Sequence, residues 1–352
     1  MGPPIIFIHY GDSSYLKYTL RAAVAFNPDK TVILLGDKTN AHVSDIGIEH
    51  HKFEDYSSGE EVELFDKVFQ HTAGEFHGRR QWTRFVFRRW FLIYNFLQAR
   101  GIQKFWTFDS DTLILTRLAA QESKFFEFDC TEQCAELCLN GFVSNRQVVL
   151  GYVQKINELF QQEDFLEQQR IKLRSLPRYA FTEMGAYALY RSSSKIKRIS
   201  LNEIIHGETF CDSVCTLEEH KVQCADQYAK YDKKIWGFEM KKMYVSGDGE
   251  IFMFHVPSKQ FVKLNTINLS WVPDCLFELL MEISMLKLSG TVKSDGAKRE
   301  LRVLDPMGEC ARMGIPAVDQ KLEPRRGFPV TEKLLEKLRQ LRTKDPNIYP
   351  LW

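Results

Sequence analysis

The opening of the chain passes from strand to helix and back to strand, and this restricts the fold more than any later feature. Pro4 to Tyr10 is an apolar run rich in β-branched and aromatic residues, followed by Gly11-Asp12-Ser13-Ser14. It reads as a buried strand, a turn and a helix start, with Ser13 or Ser14 as N-cap. Apolar residues at helical spacing carry the helix from Tyr15 to Phe26, and Asn27-Pro28-Asp29-Lys30 stops it. Thr31 to Leu35 is a second strand that ends in Gly36-Asp37. Such a βαβ unit has parallel strands and a right-handed crossover, and forms half of a nucleotide-binding sheet.

The 352 residues, 44% apolar and 26% charged, suit a globular protein of one large or two moderate domains. A net charge of +1 gives no global electrostatic reason for nucleic acid as partner. No run approaches the roughly 18 apolar residues of a membrane span, and no basic region precedes the first apolar stretch, so a cytoplasmic location is expected. Ile6 stands where a myristoylation signal needs Ser or Thr. Cys130, Cys134 and Cys138 form one group and Cys211, Cys215 and Cys224 another, neither with zinc-type Cys-x-x-Cys spacing. Reduced, partly buried thiols are the expectation.

After a third strand near Ile46 to Phe53 and a short helix around Glu61 to Gln70 comes a strong helix, Gln81 to Gln98. Its aromatic and Leu residues interleave with Arg84, Arg88 and Arg89, and Gly101 sits at the C-cap position. The arginines form either a solvated stripe or a recruited cation; Arg79 and Arg80 are weaker candidates. Lys104 to Leu115 then reads as an aromatic strand running into Asp109-Ser110-Asp111. Alternation along an extended segment would place both carboxylates on one side, a pattern suited to Mg²⁺ or Mn²⁺, which take one or two carboxylates plus phosphate oxygens. An ordinary acidic turn explains the same residues without a metal.

Cys130 to Gln162 reads as a connecting segment that contains Leu139-Asn140-Gly141-Phe142 and a helix from Asn145 to Gln161, with a polar break from Gln161 to Glu167. Tyr179 to Tyr190 is apolar around a single acid, Glu183, which is either structural or a group of raised pKa facing an acceptor. Glu250 to Lys259 is a strand ending in His255 and a Pro turn. A Leu- and Met-rich helix to Leu288, a break at Gly290 to Arg299 and a helix from Thr331 to Thr343 complete the chain, with no internal repeat.

The order of βαβ unit, basic-aromatic helix, Asp109-Ser110-Asp111 pair and late His255 with Lys259 resembles the GT-A glycosyltransferases over roughly residues 4 to 264. The resemblance implies an α/β, Rossmann-like, mostly parallel mixed sheet flanked by helices, with a C-terminal helical extension. Residues 1–268 would be the catalytic domain, divided into a nucleotide-binding half (1–120) and an acceptor half (121–268), and residues 269–352 the extension. It implies transfer of a sugar from a UDP- or GDP-sugar to a glycan or other hydroxyl acceptor, with Mn²⁺ or Mg²⁺. Asp111 and His255 would ligate the ion, and Asp109 would act through water or on the ribose. Lys259 would touch the diphosphate, although His255 and Lys259 are closer together than in the family's His-x-x-Gly-x-x-Lys element and Ser258 replaces its glycine. One of Arg84, Arg88 and Arg89 would reach the nucleotide. Asn140 and Gly141 resemble elements near the sugar pocket, and Glu183 is the candidate base for an inverting reaction. Tyr10 and Asp12 lie where open α/β sheets bind ligands, Tyr10 to stack on a base and Asp12 to bond it, with Asp37 a lesser candidate. The alternatives are a sugar nucleotidyltransferase, against which the acidic, glycine-poor Gly11-Asp12-Ser13-Ser14 argues, and a catalytically inactive nucleotide-sugar-binding module.

Overall fold

The computed structural model describes residues 2–74, 80–176, 179–211, 213–215, 227–232, 240–270, 272–288 and 300–315. The expected break at Gly290 to Arg299 and the helix at Thr331 to Thr343, together with Arg79 and Cys224, lie outside these residues. The fold is mixed α/β, built on two sheets that meet at the acidic pair.

The first sheet is mostly parallel and has seven strands in the order β3-β2-β1-β4-β7-β6-β8. These are β1 (Ile5–Ile8), β2 (Val32–Gly36), β3 (Glu49–Lys52), β4 (Phe105–Thr107), β6 (Cys130–Gln133), β7 (Cys138–Val143) and β8 (Arg198–Ser200), while β5 belongs to the second sheet. Neighbours pair in parallel except where β7 meets β4 and β6. The continuous apolar runs of β1 and β2 are explained by burial on both faces. Ile5, Phe7, Val32 and Leu34 enter one core with Leu16, Leu20 and Ala23 of α1 (Leu16–Phe26). Ile6, Ile8, Ile33 and Leu35 enter the other with Phe87 and Phe91 of α3 (Arg80–Ala99). That second core also takes in α2 (Glu60–Val68), α4 (Gln147–Gln161) and α6 (Glu183–Ser193).

The second sheet has the order β13-β10-β11-β12-β5, with β9 also paired to β12. Its strands are β5 (Thr112–Ile114), β9 (Glu208–Cys211), β10 (Met243–Ser246), β11 (Ile251–His255), β12 (Gln260–Asn268) and β13 (Leu301–Val303). Met243, Val245, Ile251, Met253, Leu264 and Ile267 pack with Leu276, Leu279 and Leu280 of α7 (Asp274–Met285) and Cys310 of α8 (Pro306–Met313). The same core receives Tyr18 and Ala22, so α1 contributes one face to each sheet's core.

Several local expectations change. Ser13 and Ser14 do not cap α1: Tyr15 holds the cap position without a side-chain bond, and the Ser13 hydroxyl turns to His9. The segment after Cys130 is a hairpin of β6 and β7, not a plain connection. The polar stretch from Gln161 opens α5 (Glu163–Ser175), whose first turn carries Glu163 and Asp164 at the positive end of the helix dipole. The strand expected over Lys104 to Leu115 is broken, since β4 ends at Thr107 in the first sheet and β5 starts at Thr112 in the second. The pair between them is a turn closed by the Thr112 N–H donating to the Asp109 carbonyl at 3.0 Å, so strand alternation does not place these carboxylates.

Candidate functional site

The turn that links the sheets lies at the carboxyl ends of β1 and β4, the edge where open α/β sheets bind ligands. Each of its three residues is held by a different part of the chain.

Asp109 is held from α3. Arg84 and Arg88 stand one helical turn apart, and both pair with Asp66 of α2, at 2.8 and 3.1 Å. They are surface ion pairs and do not reach the acidic pair. Arg89, one position on, faces the sheet edge. Its Nη1 donates to Asp109 Oδ1 at 2.8 Å and its Nη2 to Glu183 Oε1 at 3.1 Å. Burial disfavours the guanidinium charge, but Asp109 and Glu183 outweigh it and keep Arg89 protonated. Glu183 opens α6, its own carbonyl accepting from Tyr152 Oη at 2.6 Å. Burial raises the Glu183 pKa, and Arg89 opposes the rise.

Ser110 is held from β1. His9 Nδ1 lies 2.8 Å from Ser110 Oγ, and Nε2 lies 3.0 Å from Ser13 Oγ. Burial lowers the His9 pKa to about 4 against the opposing pull of Asp37 and Asp12, so its ring is neutral near pH 7 and both nitrogens serve as hydrogen-bond partners. The Tyr15 ring meets His9 edge-on at 5.8 Å and stacks on Phe277 at 4.8 Å. Burial, then the charge of Asp111, raises the Tyr15 pKa.

Asp111 is held from the end of β12. Asn268 Nδ2 donates to its Oδ1 and Ser270 Oγ to its Oδ2, each at 2.7 Å. Burial first, and the neighbouring Asp109 charge second, push its pKa up to about 6, while the Ser270 and Asn268 bonds pull the other way.

Not every expected residue reaches this point. His255 stands opposite Gln260 and Thr112 opposite Asn268, eight residues along the same strand β12. At about 3.3 Å per residue that is roughly 26 Å, far beyond the ~2.1 Å reach of a shared ion's ligands. His255 Nδ1 instead meets Ser258 Oγ at 2.7 Å, and Lys259 follows at the same distant turn with a left-handed φ of 53°. Among the described residues no three His, Cys, Asp or Glu side chains converge as a metal site, and no disulfide joins the seven described cysteines.

Asn140 follows the chain to the proper edge, since Gly141 pairs with Thr107, but it is buried and its Nδ2 donates to Gln133 Oε1 at 2.9 Å. Gly141 has φ +90°, and a Cβ there would lie 2.1 Å from Leu201, so glycine is required. Asp37 organises the turn after β1, accepting from the Gly11 N–H at 2.6 Å and the Thr39 N–H at 2.7 Å. Burial would raise its pKa, but these bonds and that of the Thr39 hydroxyl lower it. Asp12 lies on the surface, 3.7 Å from His42. Tyr10 is 64% exposed, its ring 5.4 Å from Phe85 and 6.1 Å from Phe53.

His9, Tyr15, Asn268 and Ser270 were not among the sequence candidates. His9 precedes Tyr10 at a strand end and was readable as a site residue on that ground. Asn268 and Ser270 carry no spacing signal, because only strand pairing brings them to Asp111.

No family model matches the chain, and neither does any curated protein. Among solved structures it is similar to the apo form of mouse xyloside xylosyltransferase 1, with a TM-score of 0.40 and 9% identity over 63% of this chain and 93% of that one.

Proposed function

We propose that the chain is a glycosyltransferase that uses a nucleoside-diphosphate sugar and an acceptor hydroxyl, such as that of a glycan. The observation that carries this reading is the convergence of Asp109, Asp111, Arg89 and Glu183 on one turn at the ligand-binding edge of the first sheet. Three carboxylates and one arginine, with neutral donors around them, suit a ligand that is both charged and rich in hydroxyl groups.

The residues fit Mg²⁺ or Mn²⁺ in a limited sense. Asp109 and Asp111 offer hard oxygen donors with unused lone pairs, and the rest of the shell would come from water and donor phosphates. When bound, such an ion stabilises the charge that develops on the departing diphosphate.

The chain's own groups supply the remainder. Tyr10, exposed against Phe53 and Phe85, offers a stacking face for the base, with Asp12 in the same turn. Arg89 is the one arginine of the three that reaches the site, where it can bind phosphate or sugar oxygens. Glu183, its pKa raised, is the proposed base for the acceptor hydroxyl in an inverting reaction.

The test is a screen of nucleotide-sugar hydrolysis and transfer with Mn²⁺ or Mg²⁺, followed by NMR of the product anomer. Asp111→Ala is expected to lower turnover about a thousandfold, on the order of losing a main electrostatic contact in the transition state. Retained metal-dependent activity in that variant would overturn the assignment. Glu183→Gln with near-normal turnover would remove the proposed base.

A further inference from the structure

The chain leaving β12 grips Asp111 at three points. Asn268 Nδ2 and Ser270 Oγ each donate to one carboxylate oxygen at 2.7 Å, and the Leu269 N–H donates to the Asp111 carbonyl at 2.9 Å. The donors are themselves fixed. Asn268 Nδ2 also donates to Thr112 Oγ1 at 3.1 Å, the Ser270 N–H donates to Asn268 Oδ1 at 3.0 Å, and Asn268 pairs with Thr112 in the ladder. Both side chains are neutral, so they take one lone pair from each oxygen without cancelling the carboxylate's charge.

We propose that Asn268 and Ser270 are positioning residues for Asp111, holding its carboxylate in one orientation toward the divalent ion that accompanies a nucleoside diphosphate. The inference rests on the transferase reading and deepens it: the segment joining β12 to α7 becomes part of the nucleotide–metal site. Partners of this kind around a ligating group typically change metal affinity by about ten- to a hundredfold when removed.

The test uses the full chain and calorimetric titration with UDP and with GDP, each with and without Mn²⁺. Ser270→Ala and Asn268→Ala are expected to weaken Mn²⁺-dependent binding at least about tenfold and to leave metal-free nucleotide binding within about twofold. Ser270→Thr, which keeps the hydroxyl, is expected to restore the wild-type value. Thermal melting of each variant accompanies the titrations, and if Asn268→Ala fails to fold, Ser270→Ala decides alone. Wild-type protein without metal-dependent nucleotide binding overturns the transferase reading and this inference together. Metal-dependent binding in the wild type that both variants retain, or that falls in equal measure with metal-free binding, overturns this inference alone.

Discussion

Asp109 and Asp111 are two residues apart, yet their surroundings are opposite in kind. Asp109 is 37% exposed and bound to Arg89, which it shares with Glu183, so its charge is compensated from within the protein. Among the described residues Asp111 meets only neutral donors, Asn268 and Ser270, and burial with the Asp109 charge raises its pKa to about 6. One carboxylate thus has its charge answered by an arginine, and the other has its oxygens answered by neutral groups. A pair of identical side chains has two environments because helices packed on the first sheet supply one set of neighbours and the end of β12 in the second sheet supplies the other.

The sharpest way to break this contrast is to remove its cation. Arg89→Ala leaves Asp109 and Glu183 facing each other, and a loss of about 3 kcal/mol is expected, at the low end for breaking a buried pair because Asp109 is partly exposed. Urea denaturation at pH 7 reads it, and a loss below about 0.5 kcal/mol would mean that the bridge does not hold this side together.

The next test acts on Asp111. A carboxyl whose folded pKa is raised favours folding below its ordinary pKa of 3.8, and that contribution is lost as pH rises through about 6. Asp111→Asn keeps an acceptor for Asn268, and its amide can donate to the Ser270 hydroxyl. In the absence of metal it is expected to be more stable than wild type by about 3 kcal/mol at pH 8, with the gain fading toward pH 4. A gain independent of pH would contradict an electrostatic origin.

Smaller effects follow farther from the pair. Tyr10→Ala is expected to weaken nucleotide binding about tenfold, as for loss of one base-stacking ring, while melting stays unchanged. Unchanged binding by calorimetry removes Tyr10 from the base site. His255→Ala, at the end of β11 opposite Gln260, is expected to leave the metal dependence of binding within about twofold, roughly the scatter of such assays. A larger change would return His255 to the site.

What the sequence revealed and what it hid divide along the same line. Local patterns carried the first sheet: the apolar runs of β1 and β2, the helices α1 and α3, and Gly101, which ends α3 with φ +65°. The Asp109-Ser110-Asp111 element was legible as an acidic pair at the end of a strand, and Arg89 was among three arginines that periodicity alone does not separate. The second sheet was harder to read because its pairings join residues far apart in the chain, such as Thr112 with Asn268. His255 was misplaced for that reason. A histidine at a strand end resembles a ligand until the pairing of β11 with the distant start of β12 is known to hold it away from Asp111.

The position of α1 has a mechanical consequence. Its Leu16, Leu20 and Ala23 serve one core and its Tyr18 and Ala22 the other, while Ser14 binds Asp274 and Tyr18 Oη donates to Glu278 at 2.6 Å. The helix therefore works as a shared axle, and loosening either sheet loosens the other. A chain cut after residue 268 would lose Ser270 and α7, stripping the apolar cover from β10, β11 and β12 and from one flank of α1. Unfolding is accordingly expected as a single cooperative transition spanning both sheets, with the acidic turn losing its shape in the same step.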